Sequence, residues 1–73
     1  MWFYNKPDNY LINMDQVVSC HLEAGAHSVY LVLQLSTGGD YSFSLPSVDQ
    51  AAALLVDLKR ALAAGLVLFQ HDG

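Results

Sequence analysis

Positive charge is scarce in this sequence. Its 73 residues include only three cations, Lys6, Lys59 and Arg60, against seven carboxylates, for a formal net charge of −4. Binding to nucleic acid needs clustered cations that displace the counterions of the phosphates. Docking to an anionic membrane needs a similar cluster. We therefore expect neither nucleic acid nor a membrane as a partner.

Cysteine and long apolar runs are scarce as well. Cys20 is the single cysteine, which excludes an intrachain disulfide and a metal site made of cysteines alone. No apolar stretch approaches the roughly 20 residues of a membrane-spanning helix. The first residues also lack the charged start and apolar run of a signal peptide. The expected location is the cytoplasm.

Apolar side chains, by contrast, are abundant. They make up 53% of the chain, and charged residues only 14%, whereas about 25% charged is typical of globular domains. A chain this short buries only roughly 60% of the surface that it exposes when unfolded, so its interior cannot hide every apolar group. The surplus predicts a protein partner, first of all a second copy of this chain.

The N-terminal half has the pattern of short strands joined by turns. Met1 to Asn5 is rich in aromatic residues and predicts a strand. The tetrad Lys6 to Asn9, with proline second, favours a type I turn. Tyr10 to Ile12 would then return as the second strand. Val17 to Glu23 predicts a third strand, followed by a turn at Ala24 to Ala26.

The clearest strand pattern covers Ser28 to Ser36. Thr37-Gly38-Gly39 after it is typical of a three-residue hairpin loop, which predicts that Leu35 pairs with Tyr41 and Leu33 with Phe43. Alternation assigns the core face of the hairpins to one set of side chains: Val18, Cys20, Leu22, Val29, Leu31, Leu33, Leu35, Tyr41, Phe43 and Leu45.

One helix follows the last of these strands. Ser47 can cap its free amides, and Gln50 three residues later completes a capping box. Gly65 predicts its end after Ala64. The apolar spacing predicts a buried stripe that comprises Ala51, Leu54, Leu55, Leu58, Ala61 and Leu62. Leu66 to Phe69 is too apolar for a loose tail, and predicts a short terminal strand or an arm that pairs with a neighbouring chain.

These elements predict a single α+β domain over residues 1–73. Its architecture would be an antiparallel sheet of four to five short strands, built from hairpins and packed against one C-terminal helix, with a further short terminal strand.

Ionisable side chains show no pattern typical of catalysis, so we expect no enzyme and no cofactor. The candidate metal-binding residues that lie nearest to one another in the sequence are His21, His27 and Cys20. If Val18 opposes Leu31, then His21 opposes Ser28, and the two imidazoles lie on opposite faces of the sheet. The alternative hypothesis is a metal- or small-ligand-binding protein, perhaps enzymatic, with these residues at an oligomer interface.

Apolar side chains that alternation places away from the core are the candidate partner-binding residues. They are Trp2, Tyr4, Tyr30, Val32, Val56 and Phe69, of which Trp2 and Tyr4 share a strand face with Leu11. Exposed aromatic and aliphatic groups are typical of protein contacts. In a second interpretation the sheet curls, and Leu66 to Phe69 covers its other face. The sequence thus predicts a small non-enzymatic interaction module, with self-association as a homodimer.

Overall fold

Six strands and one helix make up the chain in the computed structural model, which describes all 73 residues. In chain order they are β1 (Trp2–Asn5), β2 (Tyr10–Asn13), β3 (Val17–Ala24), β4 (Val29–Leu35), β5 (Asp40–Leu45), α1 (Val48–Ala63) and β6 (Leu68–His71). The predicted α+β class, with antiparallel hairpins and one helix toward the C-terminus, is confirmed. The strands divide between two three-stranded sheets, whereas the sequence predicts four to five strands in one.

The first sheet has the order β2-β1-β6. A single 3-10 turn, Lys6–Asp8, joins β1 to β2, and the Asn9 N–H closes it by donating to the Lys6 carbonyl at 3.0 Å. Asn9 takes the left-handed conformation (φ 50°), which asparagine tolerates better than most residues. β6 then pairs with β1 in parallel, Phe3 beside Phe69. The segment after the helix is therefore a strand within the chain, and His71 belongs to it.

The second sheet, β3-β4-β5, contains a β-bulge that changes which side chains of β3 face the core. The register shifts between Val17 and Ser19, so that Val17 packs against the core while Val18 is 69% exposed. The predicted inward position of Val18 is therefore wrong. Beyond the bulge, Cys20 pairs with Leu33 and both lie toward the core, as predicted for their face.

The β4–β5 hairpin turns one residue earlier than predicted. The Gly38 N–H donates to the Leu35 carbonyl at 3.0 Å, and Gly38 has φ 97°, so Ser36 and Thr37 occupy the centre of the turn. This arrangement pairs Leu33 with Tyr41 and leaves the predicted register wrong by two residues. Because side chains repeat every two residues along a strand, Tyr41 still packs against the core.

The helix α1 has the predicted Ser47 cap at its start and the predicted Gly65 at its end, while the reciprocal bond of the capping box from the Gln50 side chain is not formed. The Ser47 hydroxyl accepts a hydrogen bond from the Gln50 N–H at 3.2 Å. At the other end Gly65 (φ 70°) donates to the Leu62 carbonyl, and Leu66 donates to the Ala61 carbonyl. This bond pair is the Schellman motif, which satisfies carbonyls that the helix leaves free.

One core joins the two sheets and the helix. Its ten buried members are Phe3, Ile12 and Met14 from the first sheet and the turn after it, Leu31, Leu33, Phe43 and Leu45 from the second sheet, and Ala51, Leu54 and Leu58 from α1. The ring centroid of Phe3 lies 5.9 Å from those of both Phe43 and Phe69. The predicted helical stripe is buried except for Leu62, which is exposed at the last turn, and Leu55, which is half-buried.

Candidate interaction surface

The strand pairing assigns every side chain of the first sheet to one of two faces. Paired residues share a face, so Phe3, Ile12 and Phe69 point into the core. Trp2 and Leu68 form a pair on the opposite side, and so do Tyr4 and Leu11. We call this side the outer apolar face, and its members are Trp2, Tyr4, Leu11, Asn13, Leu68 and Gln70.

The large apolar side chains of this face are open to solvent. The exposed fractions of Trp2, Leu11 and Leu68 are 44%, 54% and 53%. Leu66 and Val67, just before β6, are exposed as well, but Leu66 lies beside Arg60 and Ala61 of α1 and not on this face. The total accessible surface, 4628 Å², is close to the roughly 4,450 Å² expected of a compact monomer of this mass. The exposed apolar groups therefore belong to a compact fold.

The second sheet provides an internal comparison, because its outer face is mainly polar, with Val18, Tyr30 and Val32 as its apolar members. The paired positions there carry Ser19 with Gln34, His21 beside Val32 and Ser42, and Glu23 beside Tyr30 and Ser44. This is the usual arrangement for an antiparallel sheet with one side toward water. The outer apolar face departs from that arrangement, because none of its six members has a carboxylate, imidazole, ammonium or guanidinium group. The nearest carboxylate is that of Asp72, which accepts a hydrogen bond from Gln70 at the edge of the face.

The six candidate partner-binding residues lie in different places. Trp2 and Tyr4 are together on the outer apolar face, whereas Tyr30 is on the outer face of the second sheet and Val56 is exposed on α1. Sequence alternation already places Leu11 beside Tyr4. The parallel pairing of β6, which no local signal encodes, adds Leu68.

Two of the six predicted positions are wrong as exposed contact residues. Val32 is only 6% exposed. It lies on the central strand between His21 and Ser42, and a short branched side chain there is shielded from both sides. Phe69 packs against the core beside Phe3, because β6 pairs within the chain and turns this ring inward. The interpretation that Leu66 to Phe69 covers a second face is also wrong, since β6 pairs at the edge of β1 and leaves Trp2 and Leu11 exposed.

The structure does not bring the candidate metal-binding residues His21, His27 and Cys20 together around one point. No group of three or more histidine, cysteine, aspartate or glutamate side chains is arranged to hold a metal ion. The observed register pairs His21 with Val32, and Nε2 of His21 lies 3.9 Å from a carboxylate oxygen of Glu23 on the same strand. His27 is exposed in the loop between β3 and β4. Burial raises the pKa of the Cys20 thiol, which makes it a poor nucleophile at neutral pH.

A scan against protein-family models and searches of curated proteins and of solved structures found no match for this chain. The structure defines a small α+β protein whose most distinctive surface is an uncharged, apolar sheet face. No helix in it combines the length and the apolar character required to cross a membrane.

Proposed function

We propose that this chain is a small non-enzymatic protein–protein interaction module that self-associates through its outer apolar face. The observation that carries the proposal is the contrast between the two sheets. The apolar side chains exposed on the first sheet lie in adjacent pairs opposite the core, whereas Val18 and Tyr30 on the second sheet stand among polar residues. Contact with water alone does not explain why one outer face is apolar and the other mainly polar. A protein contact does, since exposed contiguous apolar surface is typical of interaction sites. We place the protein in the cytoplasm, where an unpaired cysteine stays reduced.

A second copy of the chain is the partner that the charges favour. Each copy has a net charge of −4, so two copies repel each other over most approaches. The strands of the first sheet carry no Lys, Arg, Asp or Glu. Two such faces can therefore meet without placing like charges against each other, and a two-fold axis would use the same face on both copies.

The size of the face indicates a weak association. Three strands of four residues give a flat footprint of about 190 Å². A stable interface buries about 800 Å² per partner, roughly a sixth of the 4628 Å² surface. The face alone is smaller than such an interface even if Val67 is added, so we expect a weak contact that dissociates in the micromolar range or above.

Sedimentation velocity over 5–500 µM protein tests the proposal. We expect the sedimentation coefficient of the wild type to rise with concentration toward that of a dimer. Leu11→Lys and Leu68→Lys should each weaken association at least about tenfold, because a charge would be buried against an apolar partner. Val18→Lys is the matched control, since Val18 is an exposed aliphatic residue on the other sheet.

Two results would reject self-association. One is a wild type that stays monomeric throughout the concentration range. The other is an effect of Val18→Lys as large as that of Leu11→Lys, which would assign the change to net charge and leave the face without a role.

A further inference from the structure

A cavity of about 690 Å³ lies on the other side of β1 from the outer apolar face. It is bounded by β5, by residues 50–57 of α1, by the turn after β1 and by the end of β6. Buried Asn5, Phe43 and Leu54 form its inner wall, and exposed Asp8 and Asp57 stand at its rim. Its volume falls within the range typical of small-molecule sites.

Asn5 brings an unused hydrogen-bond acceptor to this wall. Its side chain is 1% exposed, and its Nδ2 donates to the Tyr41 hydroxyl at 2.9 Å. That hydroxyl in turn donates to Oδ2 of Asp8 at 2.8 Å. A hydroxyl has one proton, and that of Tyr41 is donated to Asp8. The Tyr41 oxygen must therefore accept from the NH₂ group of Asn5, which fixes the orientation of the Asn5 amide. Oδ1 of Asn5 is then buried without a partner.

An unpartnered buried acceptor indicates a missing donor. Native proteins satisfy nearly all buried polar atoms, so each exception calls for an explanation. A donor group of a bound molecule would satisfy Oδ1 of Asn5 while displacing no existing bond, since Nδ2 and the Tyr41 hydroxyl are already paired with each other.

The charges around the cavity specify the kind of donor. Asp8, Asp57 and the imidazole of His71 line it, no lysine or arginine does, and neither carboxylate forms an ion pair within the chain. Two unpaired carboxylates and a free amide oxygen favour a cation with several N–H groups. The Phe43 ring and Leu54 offer an apolar wall for an alkyl chain, and an aromatic face also attracts cations.

We propose that this cavity binds an organic cation with a primary ammonium or guanidinium head on a short alkyl chain. The head donates to the carboxylate of Asp8 and, after a small movement of the cavity wall, to the buried Oδ1 of Asn5. Asp57 supplies a second negative charge, and the chain lies along Phe43 and Leu54. Such a head occurs in free amines and in lysine or arginine side chains.

Titrations followed by ¹⁵N–¹H correlation spectra test this site. The probe is agmatine, with butyrate and 1-butanol as the anionic and neutral comparisons. We expect agmatine to shift the amide signals of residues around Asn5, Phe43 and Asp57 and to saturate, with butyrate and butanol binding at least tenfold more weakly. A parallel titration with acetyl-Gly-Arg-Gly-amide distinguishes free amines from peptide side chains as ligands. Binding of agmatine alone assigns the site to free amines, and binding of both compounds extends it to peptide side chains.

Conservative variants assign the effect to the cavity. Asp8→Asn and Asp57→Asn should each raise the dissociation constant of agmatine about three- to tenfold. Asp40→Asn, which removes an exposed carboxylate outside the cavity, should change it less than twofold. Asn5→Leu should abolish binding, and if this variant does not fold, the Asp8→Asn/Asp57→Asn double variant decides.

Three results would overturn the proposal. The first is that butanol binds as tightly as agmatine. The second is that Asp40→Asn weakens agmatine binding as much as Asp8→Asn does. The third is that 10 mM agmatine causes no saturable shift of the amide signals. Leu11→Lys serves as an independent control, because it alters the outer apolar face and leaves the cavity intact. Agmatine binding should therefore survive in it whether or not the chain self-associates.

Discussion

Truncation of Phe3 tests whether the two sheets unfold as one unit. Phe3 is fully buried, and its ring lies beside Phe43 of the second sheet and Phe69 of β6. A buried Phe→Ala change costs about 3–5 kcal/mol. A chain of 73 residues has a total stability of about 4–11 kcal/mol. Phe3→Ala should therefore remove a large share of the stability, and lower Tm by more than about 12 °C.

Two spectroscopic probes can follow this unfolding separately. Trp2 is the single tryptophan and reports on the first sheet, while circular dichroism at 222 nm reports mainly on α1. We expect both probes to give coincident transitions in urea, for the wild type and for Phe3→Ala. Val18→Ala, at an exposed position, should stay within about 0.5 kcal/mol of the wild type. If Phe3→Ala moved only the Trp2 transition, or cost less than about 1 kcal/mol, the shared core would not be what couples the sheets.

Three further measurements address single groups. Ser47→Ala should cost about 1 kcal/mol in urea unfolding because it removes the helix cap, and Ser47→Asp should restore most of the loss. Burial, together with the negative charge of Asp8, raises the pKa of Tyr41 to about 12 from an ordinary value of 10.0. The unfolded chain then ionises first, so the stability that Tyr41 contributes is complete below pH 10 and is lost toward pH 12; Tyr41→Phe should lack this decline. Because burial raises the pKa of Cys20, iodoacetamide at pH 8 should alkylate the folded protein more slowly than the urea-unfolded one, and equal rates would contradict this.

Local signals in the sequence predict the elements of this fold well. Ser47 and Gly65 mark the helix ends because capping depends on a few adjacent residues. Alternation along β1 and β2 separates Trp2 and Leu11 from the opposite face, and the structure shows that Phe3 and Ile12 on that opposite face are the buried ones. Each of these predictions depends only on neighbouring backbone geometry.

Pairing between strands is harder to predict, because it depends on turn centres and distant partners. The predicted loop, Thr37 to Gly39, gives a β4–β5 register that differs from the observed one by two residues. Each side chain of the two strands is nevertheless predicted on the correct face. The bulge before Ser19 inserts one residue and exchanges the roles of Val17 and Val18. The parallel pairing of β6 with β1 joins the two ends of the chain, which composition and periodicity do not specify.

The candidate sites depend on that same long-range pairing. The outer apolar face becomes continuous only when β6 brings Leu68 beside Trp2. The cavity forms only when the end of β6 and the turn after β1 approach β5 and α1. The two sites nevertheless use opposite faces of β1, where Trp2 and Tyr4 point outward while Phe3 and Asn5 point inward. A variant of the outer apolar face should therefore alter association while leaving the unfolding of the monomer and agmatine binding unchanged. If Leu11→Lys instead destabilised the dilute monomer as strongly as Phe3→Ala, the side chain would belong to the fold, and the main support for an interaction surface would be lost.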